Sequence, residues 1–294
     1  MRLPTCSFLL CAALLAALPA SVLATGTAAV PVAGAATEQT PVVTLRREPV
    51  QGAMMVGAVP PGSRVLLGER ALRVDDDGTF VFGLDRDAPA QLALRVRLPD
   101  GREQTDTFAV KAREYRIQKV TGIAERIMNP TDEDQARIAR ENAQISRARQ
   151  RDDGRRDFLQ AFAWPAQGPI TGVYGSQRYY NGVPKRPHYG VDVGIPVGTP
   201  VYAPADGVVT LAHPDMFYSG GTLLIDHGHG ISSTLMHLSE VLVKEGDAVR
   251  QGDLVAKSGA SGRASGPHLD WRMNWFGERI DPQLLVPPMP AGKD

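Results

Sequence analysis

The chain has 294 residues, of which 43% are hydrophobic and 22% charged, a balance that supports a buried core and argues against a mostly disordered chain. Its 32 Lys and Arg are matched by 32 Asp and Glu, so it carries no net charge and lacks the basic surplus of a nucleic-acid-gripping protein. With 30 Gly, 23 Pro and only 6% aromatics, the composition is turn-rich and leans toward β structure.

At the amino terminus Arg2 precedes a Leu/Ala run from Phe8 to Leu18, which is broken by Pro19 and ends in Val22-Leu23-Ala24. This predicts a secretory signal over residues 1–24, cut after Ala24, and hence an exported protein, periplasmic or extracellular. Both cysteines, Cys6 and Cys11, fall inside that segment, so any metal in the mature protein must be held by nitrogen and oxygen. No later stretch is long and apolar enough to span a bilayer. Residues 25–41 are Ala, Thr, Val, Gly and Pro without periodicity and are expected to form a flexible linker.

From Val42 the pattern changes to short alternating runs, such as Thr79-Phe80-Val81-Phe82 and Gln91-Leu92-Ala93-Leu94-Arg95-Val96-Arg97-Leu98. Turn formers at Pro60-Pro61-Gly62, Asp77-Gly78 and Pro99-Asp100-Gly101 separate them, which predicts an immunoglobulin-like β-sandwich over 42–113. Nothing in it has catalytic spacing, so it reads as a docking or spacer module. Residues 114–161 form a connector. Within it, Thr131 followed by Asp132, Glu133 and Asp134 supplies a capping side chain and acids at the positive end of a helix dipole, predicting a helix over 131–149. Its surface is charged, with Ile138 and Ile145 one heptad apart as the large apolar contacts, and Asp152-Asp153-Gly154 ends it.

From Phe162 the chain is dense in Gly, Pro and β-branched residues, and all 6 histidines fall between His188 and His268. In His188-Tyr189-Gly190-Val191-Asp192 two metal-capable side chains sit four residues apart. The Gly and β-branched surroundings disfavour a helix, so convergence on one ion requires the chain to bend, and Gly190 is placed to allow it. In Gly266-Pro267-His268-Leu269-Asp270-Trp271-Arg272-Met273-Asn274-Trp275, strand alternation puts His268, Asp270, Arg272 and Asn274 on one face and the apolar residues on the other. The apolar face is expected to be core and the polar face to line a groove. Between the two motifs, Ile231–Leu238 is a predicted strand bearing His237, after a hairpin-like turn that contains His227 and His229. His213 receives no role.

Together these residues resemble the lysostaphin-type, or LytM, zinc metallopeptidases of bacterial cell walls. The resemblance spans about 162–285, within an expected peptidase domain over 162–287, and includes Gly198-Thr199-Pro200-Val201-Tyr202-Ala203, Asp206-Gly207-Val208-Val209, His237-Leu238, Gly246-Asp247-Ala248-Val249, Gly252-Asp253-Leu254 and Ser265-Gly266-Pro267-His268-Leu269 in the family's order. It implies a LytM-type antiparallel β domain, one Zn²⁺ ion, His188 and Asp192 as ligands and His237 and His268 as the catalytic pair. Where the family has the second His of its His-x-His motif, this chain has Asp270. Asp270 either serves as the third ligand or pairs with Arg272. Tyr179, Tyr180, Asn181 and Asn274 are the candidates for substrate contact. The implied activity is hydrolysis of peptide bonds in peptidoglycan stems or cross-links. The alternative is a catalytically degenerate activator whose partner is a cell-wall amidase or a divisome protein.

Overall fold

A computed structural model describes residues 40–121 and 129–290. The expected signal peptide lies outside the described residues, as do the expected linker up to residue 39 and the last four residues of the tail. The described chain is mainly β, and its α-helix is Asp132–Ala148. Among the described residues no helix is long and apolar enough to cross a membrane.

The amino-terminal region holds two small sheets. In one, Met54–Ala58 lies between Thr44–Leu45 and Thr79–Gly83; in the other the order is Arg70–Leu72, Arg64–Leu67, Gln91–Arg97, Glu103–Ala109. Gln91–Arg97 keeps its sequence alternation, with Leu92, Leu94 and Val96 buried and the residues between them exposed. Thr79–Gly83 is buried along its whole length, because it also touches the carboxy-terminal half. A methyl at Gly83 would meet Trp275 Cβ and Ile280 there.

The carboxy-terminal half is built on an eight-stranded sheet. Its order is Ala248–Val249, Gly207–Met216, Gly220–Asp226, Ile231–Leu238, Leu269–Trp275, Val191–Val193, Ile170–Gly172, with Glu278–Ile280 pairing the far end of Leu269–Trp275. The connections Gly207–Met216 to Gly220–Asp226 to Ile231–Leu238 are sequential antiparallel pairs, while Leu269–Trp275 inserts between strands distant in sequence and brings Asp270 opposite Asp192. Leu269, Trp271, Met273 and Trp275 are buried on the core face, as the alternation predicts. A second sheet orders Pro200–Tyr202, Leu254–Lys257 and Glu240–Val241, and a third joins Ile117–Val120, Gln177–Tyr180 and Val183–Pro184.

The helix begins at a capping box: Asp134 N–H donates to Thr131 Oγ1 at 3.2 Å, and Thr131 N–H donates to Asp134 Oδ2 at 3.3 Å. It lies along the large sheet. Ile145 and Ala148 pack on Leu211, Met216 and Leu224 of the large sheet, and Glu141 accepts the Phe217 N–H at 2.8 Å.

His227 is fully buried under the large sheet. Its Nδ1 donates to the Asp206 carbonyl at 2.7 Å and its Nε2 faces Ser233 Oγ at 2.8 Å, which fixes the neutral tautomer. Burial lowers its pKa to about 4, against the hydrogen bond to Asp206, which favours the charged form. Between that value and the usual one the unfolded chain binds the extra proton, so the His227 contribution to stability is present near neutrality and is lost as pH falls. Asp226, pushed up to about 6 by burial, acts with the opposite sign over nearly the same window. The His227 effect is therefore isolated as a difference: in urea unfolding His227→Asn should cost stability at pH 7, and its cost should shrink by pH 4.5. An equal cost at both pH values would refute it.

Candidate metal centre and active site

His188, in the loop before Val191–Val193, and Asp192, within that strand, approach each other with His188 Nε2 3.0 Å from Asp192 Oδ1. Asp270 is the register partner of Asp192 on the neighbouring strand, and its Oδ2 lies 3.3 Å from the same His188 nitrogen. All three side chains are buried, and their ligand atoms lie within 4.8 Å of one another. A tetrahedral site with bonds of about 2.1 Å has ligand-to-ligand edges of about 3.4 Å, close to the two separations on His188. Asp192 Oδ1 is buried and accepts no well-directed hydrogen bond. An orphaned acid oxygen beside an imidazole nitrogen and a second carboxylate is a donor set suited to a small divalent cation.

The two acids are held from outside the cluster. Arg178 donates Nη2 to Asp192 Oδ2 at 2.6 Å; Arg272 donates Nη2 to Asp270 Oδ2 at 2.6 Å and Nε to Oδ1 at 3.0 Å. Asp270 thus forms the Arg272 ion pair and also remains within reach of His188. The two arrangements coexist, because a carboxylate offers about four lone-pair sites and the guanidinium fork occupies only some of them. Burial disfavours the Asp270 charge, but Arg272 and then His188 outweigh it and hold its carboxyl well below the usual range. Asp192 is likewise lowered: burial opposes the shift, His188 drives it, and the repulsion of Asp270 limits it. Burial pushes His188 toward the neutral form, yet the Asp270 and Asp192 charges raise its pKa above the ordinary value.

Two further imidazoles flank this cluster. The His237 and His268 rings are 4.7 Å apart between centroids, and His268 Nε2 lies 3.8 Å from Asp192 Oδ1. His237 Nδ1 donates to the Ser261 carbonyl at 2.8 Å and His268 Nδ1 to the Gly266 carbonyl at 2.8 Å. His188 follows the same rule, with Nδ1 on the Val173 carbonyl at 3.3 Å. A carbonyl can only accept, so in all three rings Nε2 is the nitrogen left for chemistry. Burial lowers the His237 pKa to about 4, with Asp270 opposing and His268 reinforcing the shift.

Strict alternation along Ile231–Leu238 would turn His237 away from Thr234 and Met236, yet it lines the same cavity as they do. Its φ of 61° is the reason: a left-handed residue at this point rotates the side chain onto the site face. Gly190 lies at a bend just before Val191–Val193, as expected, and it also provides clearance. Its φ is not positive, and a methyl there would fall within van der Waals contact of Asp270 Oδ1 and 2.6 Å from Arg272 Cγ. Gly172 makes the same room for Asp192 Oδ2.

The expected substrate contacts separate. Tyr179 and Tyr180 lie in the strand Gln177–Tyr180, followed by Asn181 in a left-handed turn. Asn274, expected to line the groove, is fully buried: its Nδ2 donates to the Glu278 carbonyl at 3.1 Å and its Oδ1 accepts from Arg279 at 3.4 Å. Alternation assigned its face correctly, but that end of the face is covered. His213 lies in the strand Gly207–Met216, its Nδ1 accepting from the Asp215 N–H at 3.1 Å. Arg178, which secures Asp192, escaped the sequence reading because no local pattern ties it to a residue 14 positions on.

If the two glycines exist to seat the acids, Gly190→Ala and Gly172→Ala should each weaken divalent-ion binding by about 10- to 100-fold, the usual cost of disturbing the residues that orient metal ligands. Gly266→Ala, with open space around its Cβ, should leave binding unchanged. A competition titration with a chromophoric chelator reads this, and equal affinities in all three variants would remove the clearance role.

Residues 186–282 match the profile of Peptidase family M23. The peptidoglycan DD-endopeptidase ShyA of Vibrio cholerae is 39% identical over 105 residues, covering 35% of this chain and 24% of ShyA. The DD-carboxypeptidase/endopeptidase Mpg of Neisseria meningitidis serogroup B is 37% identical over 105 residues, covering 36% of this chain and 24% of Mpg. The chain thus spans about a quarter of the length of these curated relatives. A crystal structure of a Pseudomonas aeruginosa protein provisionally assigned to peptidase M23 superposes with a TM-score of 0.64 at 29% identity, covering 82% of this chain and 96% of the other. The profile falls on the segment that carries His188, Asp192, His237, His268 and Asp270, so it is residues 186–282 that match peptidase family M23, the lysostaphin or LytM type.

Proposed function

We propose that the chain is an exported, zinc-dependent endopeptidase that hydrolyses peptide bonds in peptidoglycan stems or cross-links. In this reading His188, Asp192 and Asp270 bind the ion, and His237 and His268 are the catalytic imidazoles. The observation that carries it is the buried three-donor cluster with a pair of Nε2-presenting histidines beside it. The DD-endopeptidase relatives support the choice of peptidoglycan as substrate. Bound there, zinc supplies Lewis acidity and lowers the pKa of a coordinated water.

The protein's own residues do the rest. His237 stays neutral above about pH 4, so its Nε2 is available to take a proton at physiological pH. The Ser261 and Gly266 carbonyls fix both tautomers and stabilise the imidazolium that forms when Nε2 takes a proton, as the acid of a catalytic triad does for its histidine. The ring that has accepted the proton at Nε2 is then placed to return it to the leaving amine, with the other imidazole tilted beside it at 4.7 Å between centroids. Tyr179, Tyr180 and Asn181 remain our candidates for substrate contact. We assign residues 162–287 as the peptidase domain, 114–161 as its connector and 42–113 as an immunoglobulin-like module that docks or spaces it, all behind a signal peptide over 1–24 and a linker over 25–41.

The Arg272 fork on Asp270 favours a second reading, a degenerate M23 domain that activates a cell-wall amidase. Metal analysis of the purified protein together with chromatography of digested peptidoglycan separates the two. The wild type should retain one zinc and release fragments, and Asp270→Ala should lose the ion. His237→Ala and His268→Ala should keep the ion and lose about 10²- to 10⁴-fold in rate, the usual range for a general acid or base. A wild type that holds no divalent ion and cleaves nothing would leave the activator reading.

A further inference from the structure

A cavity of about 160 Å³ adjoins the cluster, walled by Ile145 and Arg149 at the end of the helix and by His237, Asp270, Arg272 and Arg279. Its acids are already engaged. Asp270 takes the Arg272 fork, and Glu141 accepts Arg137 Nε at 2.6 Å and the Phe217 N–H. Two guanidinium groups are not balanced in this way: among the described residues neither Arg149 nor Arg279 has a carboxylate within ion-pair distance. Arg149 donates Nη2 to Thr234 Oγ1 at 3.2 Å, and its Nε is buried without an acceptor. Arg279 donates Nη1 to Asn274 Oδ1 at 3.4 Å and lies 5.7 Å from the Tyr189 ring. Burial lowers both pKa values, that of Arg149 well below its ordinary value and that of Arg279 to about 10, and neighbouring arginines reinforce each shift. Like charges gathered in a partly desolvated cavity are costly unless an anion joins them.

We propose that this cavity is a carboxylate subsite, in which Arg149 and Arg279 bind a free carboxylate of the peptide whose bond is cut next to Asp270 and His237. The proposal rests on the endopeptidase reading and makes the helix part of the substrate site. The guanidinium fork matches a carboxylate in shape and charge. At about 160 Å³ the cavity has room for a carboxylate group.

Calorimetric binding of N-acetyl-D-alanyl-D-alanine and of its carboxy-terminal amide to the metal-loaded full chain tests it. The acid should bind about 10-fold or more tightly than the amide, the scale of one charged hydrogen bond. Arg149→Met and Arg279→Met should each erase most of that preference, and Arg149→Lys should retain part of it. Equal binding of acid and amide by the wild type overturns the proposal without recourse to any variant. So does a preference that survives in folded Met variants, which would place the acid on the metal, and so does tighter acid binding on loss of Arg149, which would make the helix end a lid. Because the readout is binding, a protein that binds the acid as expected but cleaves nothing refutes the endopeptidase reading alone. Cleavage without acid preference refutes the subsite alone.

Discussion

Two carboxylates face each other in register across neighbouring antiparallel strands, and both are buried. Like charges directly opposite on a sheet repel, and in a dry interior they repel more strongly. Asp192 and Asp270 are tolerated because positive charge meets them from two directions. Arg178 binds Asp192 at Oδ2 while His188 Nε2 lies by its Oδ1, and Asp270 Oδ2 meets both Arg272 and His188 Nε2. In the proposed reading, a divalent cation beside His188 would neutralise two acids at once. The rest of the site follows from this constraint: Gly172 and Gly190 are small because the acid oxygens occupy the space their side chains would fill, and the short strand Val191–Val193 is pinned between partners on both sides.

The imidazoles obey a second constraint, imposed by backbone. Each gives its Nδ1 proton to a main-chain carbonyl, at Val173, Ser261 or Gly266. These carbonyls lie in loops and not in the sheet ladder, so the loops are the fixed references for ring orientation and the strands supply only the approach. His237 shows the cost of that arrangement. A non-glycine residue at φ 61° is uncommon, and it is held there by its own N–H on the Ser219 carbonyl and its ring on Ser261. Strain sits where the ring must be turned onto the site face.

Much of this was legible in the sequence wherever one residue's neighbours decide its place. Leu269, Trp271, Met273 and Trp275 alternate into the core, and Thr131 with the acids behind it marks the helix start, because periodicity and capping are local. His188, Asp192, Asp270, His237 and His268 were legible as a set through family resemblance, and the fold brings them together. What local pattern could not carry is any feature that depends on a distant partner or on one unusual torsion. The bend at Gly190 was legible, but sequence does not show the carboxylate for which its missing side chain makes room. Asn274 looked like a groove residue because alternation gives a face without saying what covers it. The Arg272 pairing with Asp270 was legible as one of two alternatives because both residues sit on one strand face, and the structure shows that pair.

The site strand also meets the amino-terminal sheets. Leu269–Trp275 carries Asp270 near one end and Trp275 at the other. At that far end the Arg70 guanidinium lies 5.1 Å from the Trp275 ring and 4.5 Å from that of Phe276. Close by, Asp75 Oδ1 reaches His229 Nε2 at 3.1 Å, and Arg156 bridges Asp75 and Asp77. A strand fixed at both ends transmits little displacement to its middle, since packed interiors are stiff. The amino-terminal sheets therefore brace one end of the strand whose other end must hold two like charges in register. The architecture places rigidity where electrostatic repulsion is greatest.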